Sequence, residues 1–573
     1  MYRRITRHLR RGLGFFRQSG KRYEDINPED IFLDSANLPG FEEHTLEGRI
    51  EKPVSKETFF FMKVVIALVV FGLLAKLWVL GVMQGPVYAQ ISENNRLEQT
   101  LIFANRGVIY DRNMLELAGN AIREDQSAFA ERMYPQISGL SHVVGYVKYP
   151  LSDKAGNYYE ENYRGRDGVE SIYNEILSGK NGLKLKETNV YGGVTSESVI
   201  EGPQDGEPLV LAIDAHLTEV LHQSIASLSR NNGFVGGAGV IMDVETGEIL
   251  AMTSFPEYDQ NMLTKGRETG IINSLLESPS KPFLNRVIGG LYTPGSILKP
   301  IIALGALNEA IISPQKKIMS TGSITVPNPY DPSKPSVFGD WKAHGLTNMR
   351  EALAVSSDVY FYSIGGGYED QKGLGITKLE QYFRQFRITE KTGIDLNGEV
   401  EGVIPNPEWK KEKFDNDIWR LGDTYITSIG QYGTLMTPLN AVRMTSAIAN
   451  GGKLLHPSLV SGGHEEPIES RLSFAVEDFK IVQDGMRDAV RYGTAIGLNV
   501  PYVNAAAKTG TAEIGAGKLY VHSWSVGYFP FDNPRYAWAV IMERGPSQNT
   551  LGATSVMRNV FDWINVNRPE YFD

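Results

Sequence analysis

The chain has 573 residues, with 57 Lys and Arg against 67 Asp and Glu, and no cysteine. That length calls for two or more domains. The mild acidity excludes a domain-wide basic footprint for nucleic acid, and the lack of thiols excludes disulfides, thiol catalysis and thiolate metal sites.

The N-terminal segment MYRRITRHLRRGLGFFRQSGKR is basic and carries no acid, while Glu24 to Glu51 is acidic and without periodicity. Residues 1–58 are expected to form a flexible tail, and the basic end favours a cytoplasmic N-terminus by the positive-inside rule. Residues 59–83, FFFMKVVIALVVFGLLAKLWVLGVM, are long enough to cross a hydrocarbon core of about 30 Å as one transmembrane helix. Lys63 can snorkel to the headgroups, and Lys76, deeper in the span, must reach outward or meet a membrane partner. The apolar run is too long, and the polar segment before it too extended, for a cleavable signal peptide. The expected arrangement is a single-pass protein of the cytoplasmic membrane with its large C-terminal part outside.

Residues 84–205 mix short strand-like runs (TLIFA, GVIY, HVVGYV, SESVI) with charged turns, and are read as a non-catalytic stalk. A new domain is expected over 206–573. It opens with LVLAID as a strand and His216 to Leu228 as an amphipathic helix. GAGVIMDVETGEILAMTSF then reads as two apolar strands joined at Glu-Thr-Gly. Ile301 to Ala310 and Pro438 to Ala449 supply helices to cover the sheet.

Ser-x-x-Lys sets a hydroxyl and an amine one helical turn apart on one face, so that a neutral lysine can act as base to the serine. The pattern occurs three times, at Ser278 to Lys281, Ser296 to Lys299 and Ser313 to Lys316. Only Ser296 follows Pro-Gly and leads into an apolar helix, where free N–H groups can face a developing oxyanion. Pro300 fits if it stays in the first helical turn. Lys-Thr-Gly occurs twice, at 391–393 and 508–510. Only the second lies in a run of small residues, NAAAKTGTAE, which would let an extended substrate lie along the strand edge, with Lys508, Thr509 and Thr511 gripping a peptide carboxylate. Between these motifs, EALAVSSDVYFYSIG is helical on both sides of Ser356-Ser357-Asp358. A hydroxyl there can relay a proton between the two lysines, and Asp358 can pair with a lysine or orient substrate.

In YTPGSILKP, VSSDVYFY and AAAKTGTAE, taken in that order, the chain resembles the serine penicillin-recognising enzymes, and specifically the class B penicillin-binding proteins. SIGQYGTLMTPLNAVRMTSAIANGG and HSWSVGYFP are similar to the segments that accompany those motifs. The stalk agrees: NRGVIYDRNMLELA, with Arg106, Gly107, Asp111 and Arg112, and GRDGVESIYNEILSGKNG resemble class B elements. The resemblance implies an α/β (α+β) transpeptidase domain with a central antiparallel sheet and helices, on an elongated dimerisation-like pedestal behind one transmembrane helix. It also implies a role in peptidoglycan crosslinking. Ser296 would attack the penultimate D-alanine carbonyl of a stem peptide ending in D-Ala-D-Ala, with Lys299 as base and Ser356 as relay beside Lys508. Thr509 and Gly510 would bind substrate, and the N–H groups of Ser296 and Thr511 would form the oxyanion hole. β-Lactams would be inhibitors, and a D,D-carboxypeptidase side activity would be possible. No cofactor or metal is implied.

Asp358 stands where the family often has Asn, and with the Val-Tyr-Phe-Tyr that follows it resembles the elongation subgroup. The implied partner is a membrane glycosyltransferase of the shape, elongation, division and sporulation family. Arg106, Asp111 and Arg112 are expected in a structural hydrogen-bond network, and His344 and His522 in packing. The alternatives are a β-lactamase-like hydrolase, for which no deacylating glutamate motif is found, and a β-lactam sensor or catalytically silent scaffold.

Overall fold

The first helix among the described residues is α1 (Lys56–Trp78), capped by Ser55, whose hydroxyl accepts from Thr58 N at 3.3 Å. The computed structural model describes residues 55–94, 97–121, 128–154, 156–188, 194–328, 331, 333–464, 466–515 and 517–573. The basic and acidic stretches expected to form the tail, up to residue 54, lie outside these. A π-helical turn, Val79–Met83, extends α1 into a 28-residue helix whose most apolar 18-residue stretch has a mean hydropathy of 2.5 and no buried part, long and apolar enough to cross a membrane. α2 (Gly85–Asn94) follows.

A second compact unit runs from Asn94 to Asp573. Its stalk contains β1 (Leu97–Ile102), β2 (Ile109–Tyr110), β3 (Glu116–Ala121), β4 (Glu131–Met133), α3 (Gly168–Ile172), β5 (Gly182–Thr188) and β6 (Val194–Glu201). β5 lies between β1 and β6, antiparallel to both. β7 (Leu209–Val210), the short strand inside LVLAID, pairs parallel with β2, so the stalk and the following domain share a sheet. HVVGYV, expected as a strand, is one only at its end: Ser141–Val144 is a one-turn helix of four buried residues ended by Gly145 at φ +80°, and Val147 opens a short strand, Val147–Lys148, that pairs antiparallel with Arg164–Gly165. A short apolar run without alternation does not define its own period, and here the tertiary contacts chose the helix.

The stalk signature residues serve two networks. Arg106 donates to Glu170 Oε2 at 2.6 Å and to the Glu170 carbonyl, Ser178 and Asn174, and Arg132 takes Glu170 Oε1 at 2.7 Å. Burial alone would raise the Glu170 pKa, but the guanidiniums of Arg132 and Arg106 outweigh it and hold the carboxyl below its usual range. Asp111 accepts from Asn113 N and Leu115 N within its own turn, and from Ala215 N across the domain junction at 3.2 Å. Arg112 N donates to the Ile213 carbonyl.

The C-terminal domain is built on α4 (Ala215–Asn232), the hairpin β8 (Gly236–Asp243) and β9 (Ile249–Phe255), and α5 (Lys299–Asn308). It continues through α6 (Met349–Val355), α7 (Asp358–Gly366), α8 (Pro438–Ala449) and α9 (Val476–Arg491). The last elements are β10 (Ala506–Ile514), β11 (Tyr520–Phe529), β12 (Tyr536–Pro546) and α10 (Ala553–Asn567). The five strands form one antiparallel sheet in the order β9, β8, β12, β11, β10. Successive side chains point to opposite faces, so Val240 and Met242 join the core that includes α8 while Ile241 joins the one that includes α4 and α10. Both faces are therefore covered, as the nearly continuous apolar runs require. β10 stands at the sheet edge, and among the described residues one side of its backbone has no strand partner.

Candidate active site

Three local structures meet beside β10. Gly295, at φ +58°, starts the first: a 3₁₀ turn, Gly295–Leu298, that carries Ser296 and passes directly into α5, with Pro300 in the first turn where its missing N–H costs nothing. Gly295 N donates to the Gly430 carbonyl at 2.9 Å. Ser296 is partly exposed, and its hydroxyl makes no hydrogen bond with a described residue. Lys299, one turn on, is fully buried.

The second structure is the junction of α6 and α7. α6 starts in a capping box between Asn348 and Glu351 and ends at Ser356, which adopts the left-handed conformation at φ +59°. That geometry is uncommon for a residue with a Cβ and reverses the chain so that the Ser356 hydroxyl turns inward. Ser357 then caps α7. The Asp340 carboxylate lies at the same helix start and accepts from Ser357 Oγ at 2.9 Å and Val359 N at 3.0 Å.

The third is the edge strand. A Cβ on Gly510 would lie 2.8 Å from the Pro294 carbonyl oxygen and 2.9 Å from Ile297, so only glycine lets β10 close on the serine turn. Trp524, opposite Gly510 on β11, donates from Nε1 to the Thr293 carbonyl and ties the same turn to the sheet. Thr509 Oγ1 donates to Thr494 Oγ1 at 2.7 Å.

At the centre two lysines converge on one hydroxyl. Lys299 Nζ lies 2.6 Å from Asp358 Oδ1, 2.8 Å from the Ser356 carbonyl and 3.3 Å from Ser356 Oγ. Lys508 Nζ lies 2.8 Å from Ser356 Oγ and from the Thr509 carbonyl. Lys508 is wholly buried; desolvation first, and then the charge of Lys299, push its pKa well below the ordinary lysine value, against the opposing pull of Asp358.

Of the residues singled out in the sequence, Lys299, Ser356, Asp358 and Lys508 thus form one hydrogen-bonded group, and Gly510 packs against the turn of Ser296. The Cβ that Gly295 lacks would lie 3.3 Å from the Thr511 carbonyl oxygen, so Thr511 borders the same turn. The rejected motifs lie elsewhere in local turns. Ser278 bonds to Ser280, Ser313 to Gln315, and Lys316 to Gln371. The first Lys-Thr-Gly is a turn whose Thr392 and Gly393 N–H groups donate to Glu399. His522 accepts from Arg544 N, and His344 lies 3.4 Å from Asp340. Sequence reasoning missed Asp340 and Thr494, which lie outside the three motifs, and did not single out Glu170 within the stalk segment GRDGVESIYNEILSGKNG that contains it.

Known proteins carry the same plan. The family model described as penicillin binding protein transpeptidase domain matches residues 237–562, more than half of the chain, and the one described as penicillin-binding protein dimerisation domain matches 125–211. The chain is 33% identical to the peptidoglycan D,D-transpeptidase MrdA of Acinetobacter baumannii over 467 residues, 76% of this chain and 66% of that protein. It is 30% identical to MrdA of Escherichia coli K12 over 477 residues, 76% of this chain and 71% of the other. The structure of penicillin-binding protein PBP2 from Helicobacter pylori in complex with MreC superposes with a TM-score of 0.67 at 27% identity, over 82% of this chain and 99% of that one. With the three motifs assembled at one edge strand and both domains matched in order, the chain belongs to the penicillin-binding proteins, as a transpeptidase enzyme with a dimerisation-type domain ahead of its catalytic domain.

Proposed function

We propose that this protein is a membrane-anchored peptidoglycan D,D-transpeptidase of the elongation type that works through an acyl-enzyme on Ser296. The observation that carries the reading is the convergence of Lys299 and Lys508 on Ser356 Oγ, at 3.3 and 2.8 Å, beside the turn that bears Ser296. Two amines joined by a hydroxyl can accept a proton from a nucleophile and return it to a leaving amine. In the reaction, Ser296 Oγ attacks the penultimate D-alanine carbonyl, the free terminal D-alanine departs, and an amine of a second stem peptide resolves the ester. The N–H groups of Ser296 and Thr511 are the oxyanion donors, and Thr509 and Gly510 lie along the substrate. The free edge of β10 supports an extended peptide as the donor.

The reading assigns residues 1–58 to a cytoplasmic tail, 59–83 to the membrane span, 84–205 to the pedestal and 206–573 to catalysis outside the membrane. The apolar helix Lys56–Met83 supports the span. The proposed partners are a glycosyltransferase of the shape, elongation, division and sporulation family and, by extension from the Helicobacter pylori complex, a protein of the MreC kind.

The test is covalent labelling of the full chain with a fluorescent penicillin, followed by mass spectrometry of the adduct. One adduct on Ser296, lost in Ser296→Ala, is expected. Undiminished labelling of that variant refutes the nucleophile assignment.

A further inference from the structure

Two lysines stand in this site and one carboxylate faces them, and the geometry shows which lysine has it. Asp358 Oδ1 lies 2.6 Å from Lys299 Nζ, a charge-assisted contact, and the Ser356 carbonyl takes a second N–H of the same amine. Among the described residues Lys508 Nζ hydrogen-bonds only to neutral oxygens, the Ser356 hydroxyl and the Thr509 carbonyl. The other charges near β10 are already engaged. On α9, packed behind the strand, Asp488 pairs with Arg350, and Arg487 donates to the Ala505 carbonyl and Asn504. On β10 itself Glu513 pairs with Lys518. A buried ammonium without a counter-ion is strongly disfavoured.

We propose that in the resting enzyme Asp358 holds Lys299 as the cation and that Lys508 is the neutral amine, which receives the nucleophile's proton through the Ser356 hydroxyl. The proposal rests on the Ser296 acyl-enzyme reading and reverses the roles that the motifs alone suggest for the two lysines. As Ser296 Oγ bonds to the acyl carbon, its proton passes to Ser356 Oγ, and Ser356 passes its own proton to Lys508 Nζ, which becomes an ammonium. Collapse of the tetrahedral intermediate breaks the C–N bond, and the departing amine takes a proton back by the same route, leaving Lys508 neutral. The carboxylate of a stem peptide, gripped beside Lys508, supplies the anion that the resting site lacks while the ammonium exists. The Asp at position 358 is then a charge-setting residue. An Asn there would leave both lysines without a carboxylate and free either to be the neutral one.

The test is the pH dependence of benzylpenicillin acylation, read as adduct on Ser296 by mass spectrometry, in the wild type, Lys508→Arg, Asp358→Asn and the double variant. Arginine keeps the bulk at 508 but is a permanent cation, the protonated form that Lys508 takes only during the reaction, and cannot deprotonate. Wild-type acylation is expected to fall as pH drops and Lys508 is protonated. Lys508→Arg is expected to lose that limb and to acylate roughly 10²- to 10⁴-fold more slowly, the usual range for loss of a general base. In the double variant Lys299 is freed of its carboxylate, so acylation is expected to recover at least about tenfold over Lys508→Arg, with an acid limb restored. Lys508→Met repeats the comparison without the added cation if the arginine variant does not fold. A wild-type acid limb in the position-508 variant, or no recovery in the double variant, overturns the proposal. Adduct on a residue other than Ser296 would instead overturn the acyl-enzyme reading beneath it.

Discussion

Arg106 and Arg132, 26 residues apart in the chain, donate to opposite oxygens of a single buried carboxylate, Glu170, at 2.6 and 2.7 Å. The three side chains are fully buried and join the segment before β2, strand β4 and helix α3, so that one acid fixes the stalk's geometry. Removing it leaves two guanidiniums in a dry site. Glu170→Ala is expected to destabilise the protein by about 3–5 kcal/mol, the usual cost of stranding a buried charge. Thermal unfolding measures the loss, and penicillin labelling per folded molecule should be unchanged; a melting temperature equal to that of the wild type rules the assignment out.

Gly510 gives a test of the active-site packing that leaves all hydrogen-bonding side chains in place. A methyl at this position meets the Pro294 carbonyl at 2.8 Å and Ile297 at 2.9 Å, so β10 must move off the serine turn. A displacement on the order of 1 Å at a reacting centre costs about 10²-fold in rate. Gly510→Ala is expected to slow acylation by about that factor while the circular dichroism spectrum stays native. Wild-type acylation kinetics in this variant would show that the close approach is not needed.

Asp340 reaches the second motif from outside it, and its carboxylate takes both Ser357 Oγ and Val359 N. Asp340→Ala frees the start of α7 and with it the position of Asp358 against Lys299. The expected result is acylation slowed roughly tenfold or more, since the misplaced groups lie at the reacting centre. Asp340→Asn keeps one acceptor and should fall between the two. Equal rates in all three proteins would dissociate Asp340 from the site.

Acid stability should depend on His142, in the one-turn helix that packs edge-on against Tyr258. Burial first, and then the charge of Arg286, lower its pKa from 6.5 to about 3. Above pH 6.5 the imidazole is neutral whether the chain is folded or not, and stability is intact. Between 6.5 and 3 the unfolded chain binds a proton that the folded one refuses, so stability falls with pH by about 1.4 kcal/mol per unit. His142→Leu removes this share of the slope. Denaturant unfolding at pH 7, 6 and 5 compares the two proteins, and parallel pH dependences would contradict the burial argument.

Much of the architecture was legible along the chain because its signals are local. A 25-residue apolar run, the hairpin over Gly236–Phe255 and the helix Pro438–Ala449 each show their period or their cap within one turn of sequence. The first half of HVVGYV was misread because a short apolar run without alternation suits either a strand or a turn of helix, and only its burial in the fold decided between them. Asp340 and Thr494 were illegible for another reason: an aspartate or a threonine in a loop looks the same whether it faces water or caps a distant helix.

The sequence by itself selected Ser296 from three Ser-x-x-Lys copies and Lys508 from two Lys-Thr-Gly copies, because helix context and motif order are properties of the chain. The tertiary structure alone decided which amine holds the carboxylate. Lys299 and Asp358 are 59 residues apart, and Ser356 and Lys508 are 152 apart. Protonation in a buried site follows distance and desolvation, which no spacing along the chain encodes.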